Sequence, residues 1–137
     1  MRVEQTTDLK ICHALRREVF VKEQGVPEAE EMDDLDAKAI HLLGMEGGRP
    51  VATARVFING ESGKIGRVCV LRAARGTGAG GAVMRGAIDL LRECGVRRIN
   101  LSSQMQVLPF YEKLGFVAYG PEYSDAGILH RDMMLEL

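Results

Sequence analysis

A glycine-rich run, Arg75-Gly76-Thr77-Gly78-Ala79-Gly80-Gly81, constrains the fold of this chain more than any other feature. It lies between the apolar segment Val68–Leu71 and a helix predicted over about residues 78–92. Glycine reaches positive φ angles without a steric penalty, so such a turn can direct several backbone N–H groups at one anion. The positive end of the helix dipole and the guanidinium of Arg75 favour negative charge at the same place. The run therefore predicts a strand, a pyrophosphate-binding turn and a helix.

Periodic segments before the run predict a helix followed by an antiparallel meander. Thr7 or Asp8 can cap a helix whose apolar residues recur at helical spacing, and Gly25 and Pro27 end it. Three strands follow, and the tight glycine-containing turns between them favour antiparallel pairing. Their predicted ranges are 39–45, 51–58 and 65–71.

The segments after the run predict a parallel crossover and two closing strands. A strand, a helix and another strand in this order normally form two parallel neighbours joined in a right-handed crossover. The predicted ranges are 78–92 for the crossover helix, 96–101 for the next strand, 109–113 for a short helix, and 116–119 and 128–135 for the closing strands. The chain therefore predicts one domain, residues 1–137, of the α/β (α+β) class with a mixed central sheet.

Composition excludes several classes of protein. The formal net charge is -1, whereas nucleic-acid-binding domains carry a strong basic excess. No segment reaches the length of a membrane span, and the N-terminus lacks the apolar region of a secretory signal. Cys12, Cys69 and Cys94 are odd in number and have no metal-ligand spacing, which indicates a reducing compartment and no metal site. We expect a cytoplasmic protein with neither a nucleic-acid nor a membrane partner.

The glycine run by itself fits more than one cofactor. Gly76, Gly78 and Gly81 have the G-x-G-x-x-G spacing of dinucleotide-binding folds. However, an antiparallel region precedes them, and the strand that follows ends in Asn100 and Ser102 rather than in an acidic residue. A triphosphatase loop would need Lys-Ser or Lys-Thr after the glycines, which this chain lacks. A turn that only lets a helix pack close to a strand is the structural alternative.

Two linked motifs resemble the Gcn5-related N-acetyltransferase (GNAT) superfamily. Residues 75–80 match its signature of Arg or Gln, two residues, Gly, one residue, then Gly or Ala. The segment Phe110-Tyr111-Glu112-Lys113-Leu114-Gly115-Phe116 matches its second motif at a typical spacing. V-F-V-K-E-Q-G-V-P before an acidic run, and the ending Gly127-Ile128-Leu129-His130 with Met133, resemble the ElaA-like branch. The resemblance implies the GNAT fold, a mixed sheet with helices on both faces.

The resemblance implies acetyl-coenzyme A (acetyl-CoA) as the co-substrate. Its pyrophosphate would bind backbone N–H groups of the glycine run, with Arg75 beside the turn. Its pantetheine arm would pair with the backbone of the preceding strand, and Gln104 stands where the superfamily commonly has Asn. The implied cofactor-binding residues are Val68, Cys69, Val70, Arg75, Gly76, Thr77, Gly78, Ala79, Gly80 and Gln104.

The resemblance also implies catalytic residues. Tyr111 would protonate or stabilise the departing CoA thiolate. The attacking amine must be neutral, and His130 is the first candidate for its base, because the ElaA-like ending places it beside the cleft and histidine titrates near neutrality. His41 is the next candidate, while Glu23 and Glu31 would act through water.

The acidic run Glu28–Asp36 fits an acceptor-side loop that attracts a cationic amine, or alternatively a solvated loop or an oligomer surface. The candidate substrate-binding residues are Glu31, Asp33 and His41. His13 is predicted on a solvated helix face.

These observations predict an N-acetyltransferase that moves an acetyl group directly from acetyl-CoA to a primary amine of a small molecule or protein. The alternative from another class is a non-catalytic acyl-CoA sensor or interaction module, against which the presence of both Tyr111 and His130 weighs. A nucleotide-dependent oxidoreductase or kinase is a third interpretation. Because enzymes of this superfamily are often dimers, a homodimer is also compatible with the resemblance.

Overall fold

Seven strands form one sheet in the computed structural model, which describes residues 1–137. The strands are β1 (Arg2–Thr6), β2 (Ile40–Glu46), β3 (Arg49–Asn59), β4 (Ser62–Val70), β5 (Arg98–Gln104), β6 (Val117–Asp125) and β7 (Ile128–Glu136). Their spatial order is β1-β2-β3-β4-β5-β7-β6, and β4 with β5 is the parallel pair. The expected mixed sheet, with an antiparallel N-terminal meander and a parallel strand-helix-strand unit, is confirmed.

Four α-helices connect the strands. They are α1 (Leu9–Arg16), α2 (Glu28–Glu31), α3 (Ala79–Glu93) and α4 (Leu108–Glu112), and a π-helical segment (Arg17–Glu23) continues α1. Asp8 caps α1 as predicted, because its side chain accepts a hydrogen bond of 3.1 Å from the backbone N–H of Lys10. None of these helices combines the length and the apolar character that crossing a membrane requires.

The first strand, β1, is an element that the sequence did not predict. It pairs antiparallel with β2, from Arg2 opposite Met45 to Thr6 opposite His41. Its residues R-V-E-Q-T contain one apolar side chain, so the segment lacks the alternating pattern that predicts a strand. Val3 packs against Gly86 of α3, because a Cβ added to Gly86 would lie only 2.7 Å from the Cγ1 atom of Val3. The pairing of β1 with β2 is therefore determined by tertiary contacts.

Helices cover both faces of the sheet, as the fold class predicted. On one face, α3 and α4 bury the larger core, which includes Val56, Ile65, Met84, Leu91, Ile99 and Met133. On the other face, α1 and the π-helical segment bury a smaller group made of Cys12, Leu15, Val19, Leu43 and Cys69. The side chains of β5 that point to this second face, such as Ser102 and Gln104, lie beyond α1 and are not buried. That uncovered part of the sheet becomes one wall of the candidate site.

The parallel strands β4 and β5 separate after a short paired region. Pairing runs from Ser62 opposite Arg98 to Lys64 opposite Asn100 and then stops. Just past that point β4 contains a bulge, where the register against β3 shifts and Arg67 has a φ angle of 50°. The remainder of β4 therefore has no strand partner on its β5 side, and its backbone polar groups on that edge face an open cleft.

Candidate active site

A cleft of about 880 Å³ opens where β4 and β5 separate. The second half of β4, the glycine run and α4 line the end nearest α3. The other end is lined by Phe57 and Arg67, by Ser102 and His130, and by the turn between β6 and β7. Every cofactor-binding candidate except Thr77 lines this cleft, together with Tyr111 and His130. The fold therefore brings together residues that are widely spaced in the chain.

The glycine run forms the turn at the start of α3. Gly76 and Gly78 have φ angles of 81° and 87°, which other residues adopt only with strain. Gly78 is the N-cap of α3 and supplies no side-chain hydrogen bond, so the first N–H groups of the helix have no acceptor within it. A Cβ on Gly80 would lie 3.3 Å from the ring of Phe110, so α4 approaches the turn closely. These N–H groups can bind an anion at the cleft wall.

Arg75 lies at the cleft wall and connects this turn to the π-helical segment. Its guanidinium donates two hydrogen bonds to the carboxylate of Glu23, of 2.5 and 2.7 Å, and a third of 3.1 Å to the carbonyl of Val70. The hydrogen bond from Arg75 is the main reason that the pKa of Glu23 is lowered. The charge of Arg75 is thus balanced by Glu23, and the anion site depends mainly on backbone N–H groups.

Tyr111 lies on α4 and is 7% exposed. Its ring makes edge contacts with Phe110 and Phe116, with centroids 5.0 and 6.0 Å away. Burial, followed by the nearby Cys69 thiol group, raises the pKa of Tyr111. Its hydroxyl makes no hydrogen bond to the protein, and Tyr111 lines the cleft. Because a protonated hydroxyl has a free hydrogen-bond donor, Tyr111 can donate a proton to a group bound in the cleft.

Cys69 and Gln104 contribute different groups to the cleft. Burial raises the pKa of Cys69 to about 12, so its thiol remains protonated, and its side chain packs in the smaller core beneath α1. The thiol is therefore not a nucleophile at neutral pH. Gln104 ends β5, and its amide exchanges hydrogen bonds with Gln24 (2.8 Å) and Gln106 (2.7 Å).

His130 lies on β7 at the opposite wall from the glycine run. Its Nδ1 donates a hydrogen bond of 2.7 Å to the carbonyl of Ile128, since a carbonyl can only accept. In the neutral ring the Nε2 atom therefore carries the lone pair. The ring stacks on Tyr123 with centroids 6.1 Å apart, which restrains its orientation. His130 has the tautomer that a general base requires.

The acidic run supplies a buried ion network rather than free negative charge. Arg16 donates to Glu31 (2.6 Å) and to Asp36 (2.7 Å), and Arg55 donates to Asp36 (2.9 Å) and through two bonds to Asp33. The hydrogen bond from Arg55 is the largest cause lowering the pKa of Asp33 to about 2. These paired carboxylates hold the acidic segment against the sheet.

Arg67, at the bulge of β4, joins the same network. Its Nη2 donates to the carbonyl of Glu31 at 3.0 Å and to the carboxylate of Asp33 at 3.3 Å. Glu31 lines the cleft and is 2% exposed, whereas Asp33 is not part of the cleft wall. Both carboxylates are therefore paired with arginines, and the role of Glu31 and Asp33 in attracting a cationic amine stays a prediction.

Two histidines lie in this network and not in the cleft. His41 is buried, and its Nε2 donates to the backbone carbonyl of Asp36 at 2.9 Å. His13 was predicted to be solvated, which is wrong: its Nε2 lies 2.8 Å from the carboxylate of Asp36. Burial alone would raise the pKa of Asp36, but hydrogen bonds from Arg16, Arg55 and His13 outweigh it and hold that pKa well below its usual range.

Sequence reasoning missed three polar residues beside His130. Ser102 on β5 hydrogen-bonds the hydroxyl of Tyr123 on β6, and that hydroxyl donates a bond of 2.6 Å to the carboxylate of Asp132 on β7. The three residues come from separate strands, so no local motif connects them. For Ser102 and Asp132 the sequence did carry a signal, because each is adjacent to a buried residue, Leu101 or Met133, and therefore points to the opposite, uncovered face.

Known structures share this fold. The crystal structure of Escherichia coli ElaA aligns with a TM-score of 0.85 and 27% identity, covering 98% of this chain and 100% of that one. An acyl-CoA N-acyltransferase from Pseudomonas aeruginosa aligns with a TM-score of 0.83 and 31% identity, covering 97% and 96%. The fold of this chain is thus shared with an acyl-CoA N-acyltransferase.

The sequence comparisons identify the family. Residues 3–137 match the family model described as an acetyltransferase (GNAT) domain. An uncharacterized N-acetyltransferase of Bacillus subtilis, YjcF, is 39% identical over 127 residues, which are 92% of this chain and 91% of YjcF. The chain belongs to the GNAT family and is an N-acetyltransferase, and the family uses acyl-CoA donors.

Proposed function

We propose that the protein transfers the acetyl group of acetyl-CoA directly to a primary amine of a small molecule or protein. One observation carries this proposal: the cleft joins the unbonded hydroxyl of Tyr111 to the wall that presents the open Nε2 of His130. A direct transfer needs a proton donor for the leaving thiolate and an acceptor for the amine proton. The two walls of the cleft supply one of each.

The donor would bind along β4 and the glycine run. The N–H groups of residues 76–80 would hold the pyrophosphate, while the unpaired edge of Val68, Cys69 and Val70 would hydrogen-bond the pantetheine arm as an added strand does. Gln104 would contact the same arm from β5. The open edge of β4 and the uncapped start of α3 support this placement.

The chemistry would then follow from the two side chains. The neutral amine attacks the thioester carbon, and His130 takes a proton from the attacking nitrogen through Nε2. The carbon–sulfur bond breaks with its electrons on sulfur, and Tyr111 donates its hydroxyl proton to that sulfur. Acetyl transfer yields an amide and the free thiol of CoA, and solvent returns the proton from His130 to Tyr111.

Calorimetry with acetyl-CoA and a thiol-release assay with a panel of amines test the proposal. The panel contains benzylamine, spermidine, glucosamine and a lysine-containing peptide with a free N-terminus. Binding followed by thiol release with at least one amine is expected. Tight binding without turnover on any amine would favour the sensor, and failure to bind acetyl-CoA would exclude both functions.

Tyr111→Phe tests the role of the hydroxyl. It should lower kcat by about 100-fold or more, because positioned proton donors contribute at least that much, while acetyl-CoA affinity stays unchanged. The matched control is Tyr119→Phe, since Tyr119 donates only to Asn100 outside the cleft. Unchanged turnover in Tyr111→Phe would remove this residue from the chemistry.

His130→Gln tests the base, because glutamine keeps a polar side chain without an ionisable ring. The pH profile of kcat/KM should lose the ionisation that limits the rate at low pH. A profile identical to that of the wild type would reject His130 as the base.

A further inference from the structure

Ser102, Tyr123 and Asp132 form a hydrogen-bonded row across three strands. Ser102 is on β5 and lines the cleft, Asp132 is its neighbour across the antiparallel pair with β7, and Tyr123 reaches both from β6. The row ends on the same wall as His130. Neither the donor site nor the proton transfers described above use it.

The chemistry of the three groups determines the direction of each hydrogen bond. An ionised Asp132 carboxylate can only accept, so the Tyr123 hydroxyl donates its single proton there, at 2.6 Å. Ser102 must then donate its own proton to the Tyr123 oxygen. Burial, and next the hydrogen bond to Asp132, raise the pKa of Tyr123, so its hydroxyl keeps the proton. The Ser102 oxygen therefore has no donor left and offers only lone pairs to the cleft.

His130 offers a second lone pair to the same space. Its Nδ1–H is used by the carbonyl of Ile128, which leaves Nε2 as an acceptor. In the β5–β7 register Ser102 faces Asp132, and His130 faces Gln104, so Ser102 and His130 are diagonal neighbours on one face. Diagonal neighbours in a sheet have their backbones about 7–8 Å apart, which is close enough for both side chains to contact one bound group.

Resting on the proposed amine acetylation, we propose that Ser102 and His130 form a two-acceptor site that selects a primary amine and positions its nitrogen for attack. A primary amine has two N–H groups, one for the Ser102 oxygen and one for Nε2 of His130. Its lone pair then remains free and points away from both. A secondary amine can satisfy only one acceptor.

Tyr123 and Asp132 are positioning residues in this arrangement. Asp132 holds the Tyr123 proton, which makes Tyr123 an acceptor for Ser102, and the Tyr123 ring supports the imidazole of His130. Besides the stacked His130 ring, the charged groups near the Tyr123 hydroxyl are Asp132 on β7 and Asp125 at the end of β6. Both carboxylates favour a donor over an acceptor at that hydroxyl, so they reinforce the direction of the row.

The bond changes remain those of the proposed transfer. The nitrogen lone pair forms the carbon–nitrogen bond, Nε2 of His130 takes the proton of the N–H that it already accepts, and the thiol leaves with the proton of Tyr111. Ser102 gains and loses no proton. It holds the second N–H throughout, so its removal should affect amine binding and selectivity more than the proton transfers.

The test compares benzylamine with N-methylbenzylamine in the thiol-release assay with acetyl-CoA. The wild type should prefer benzylamine by up to about tenfold in kcat/KM, which is the net contribution of one hydrogen bond. Ser102→Ala should raise KM for benzylamine about tenfold and abolish this preference, and Ser102→Thr, which retains the hydroxyl, should restore it. Tyr123→Phe should also raise KM for benzylamine and weaken the preference for it, while the control Tyr119→Phe should match the wild type.

A second measurement keeps the test decisive where benzylamine is not turned over. Nitrogen-detected NMR of the His130 ring should show Nε2 shifting when benzylamine is added to the acetyl-CoA complex of the wild type, and less in Ser102→Ala. A preference for benzylamine that survives Ser102→Ala, or an Nε2 signal that benzylamine moves in neither protein, would overturn the two-acceptor site. Acetylation of any other amine in the panel would still leave the proposed function standing.

Discussion

Asp36→Asn should destabilise the protein strongly although it changes few atoms. The Asp36 carboxylate is 6% exposed and accepts hydrogen bonds from Arg16, Arg55 and His13, of 2.7, 2.9 and 2.8 Å. Arg16 and Arg55 are themselves buried, so an uncharged partner leaves their positive charges insufficiently compensated. Breaking a buried ion pair costs about 3–5 kcal/mol. Arg16 still pairs with Glu31 in this variant, and Arg55 still pairs with Asp33. We therefore expect the lower limit of that range, about 3 kcal/mol.

Thermal and urea unfolding followed by circular dichroism at pH 7 measure this effect. For 137 residues the entropy of unfolding near the midpoint is about 0.3 kcal/mol/K, so a loss of about 3 kcal/mol should lower Tm by about 10 °C. The matched control is Asp34→Asn, which removes the same charge from an exposed residue two positions away. If Asp36→Asn lies within about 0.5 kcal/mol of the control, the buried network does not stabilise the fold as argued.

The same variant should change the response to acid. The pKa of Asp33 in the folded state is lowered to about 2, chiefly by Arg55, and that of Asp36 is also lowered. The unfolded carboxyls titrate near pH 3.9, so the unfolded state binds more protons below that pH. The stability that these groups contribute is therefore complete above about pH 4 and is lost as pH falls towards about 2. The difference in free energy of unfolding between the wild type and Asp36→Asn should shrink over that interval.

Three further predictions concern the loop and the thiols. Gly78→Ala should lower the free energy of unfolding by about 1–2 kcal/mol, because Gly78 has a φ of 87°, and it should also weaken acetyl-CoA binding. The control Gly25→Ala, whose φ is 75° and which lies outside the cleft, should lower the free energy of unfolding in urea equally and leave the calorimetric Kd unchanged. Glu23→Gln leaves the positive charge of the glycine loop uncompensated, so the acetyl-CoA Kd should fall about threefold at low salt and less at high salt. Iodoacetamide should label exposed Cys94 in the native protein, while mass spectrometry finds Cys69 unmodified until urea is added.

Much of the fold could be predicted because its signals are local. The helix over 79–93 has a glycine turn before it and apolar residues at helical spacing, and the strands of the meander are separated by turn residues. The strand β1 escaped prediction because its five residues depend on β2 for their pairing and on α3 for the packing of Val3. Edge strands of this kind carry little information of their own.

Prediction of the site was more uneven. The motif residues Tyr111 and His130 both line the cleft, and their roles stay predictions. The acidic run was interpreted by its charge, but the arginines that neutralise Glu31 and Asp33 come from α1, β3 and β4, far away in the chain. Charge counted along a sequence does not reveal such partners, because pairing depends on which side chains the fold brings within hydrogen-bond distance.

The sequence by itself determined most of the helices and strands other than β1, the glycine turn before a helix, and the two motifs that point to a CoA donor. These properties depend on residues near one another in the chain, where φ preferences and hydrophobic periodicity act directly. Only the tertiary structure decided that β4 and β5 separate after Lys64 and that Arg75 pairs with Glu23. It also decided that Ser102, Tyr123 and His130 share one wall, because strand order and register place distant residues on a common face.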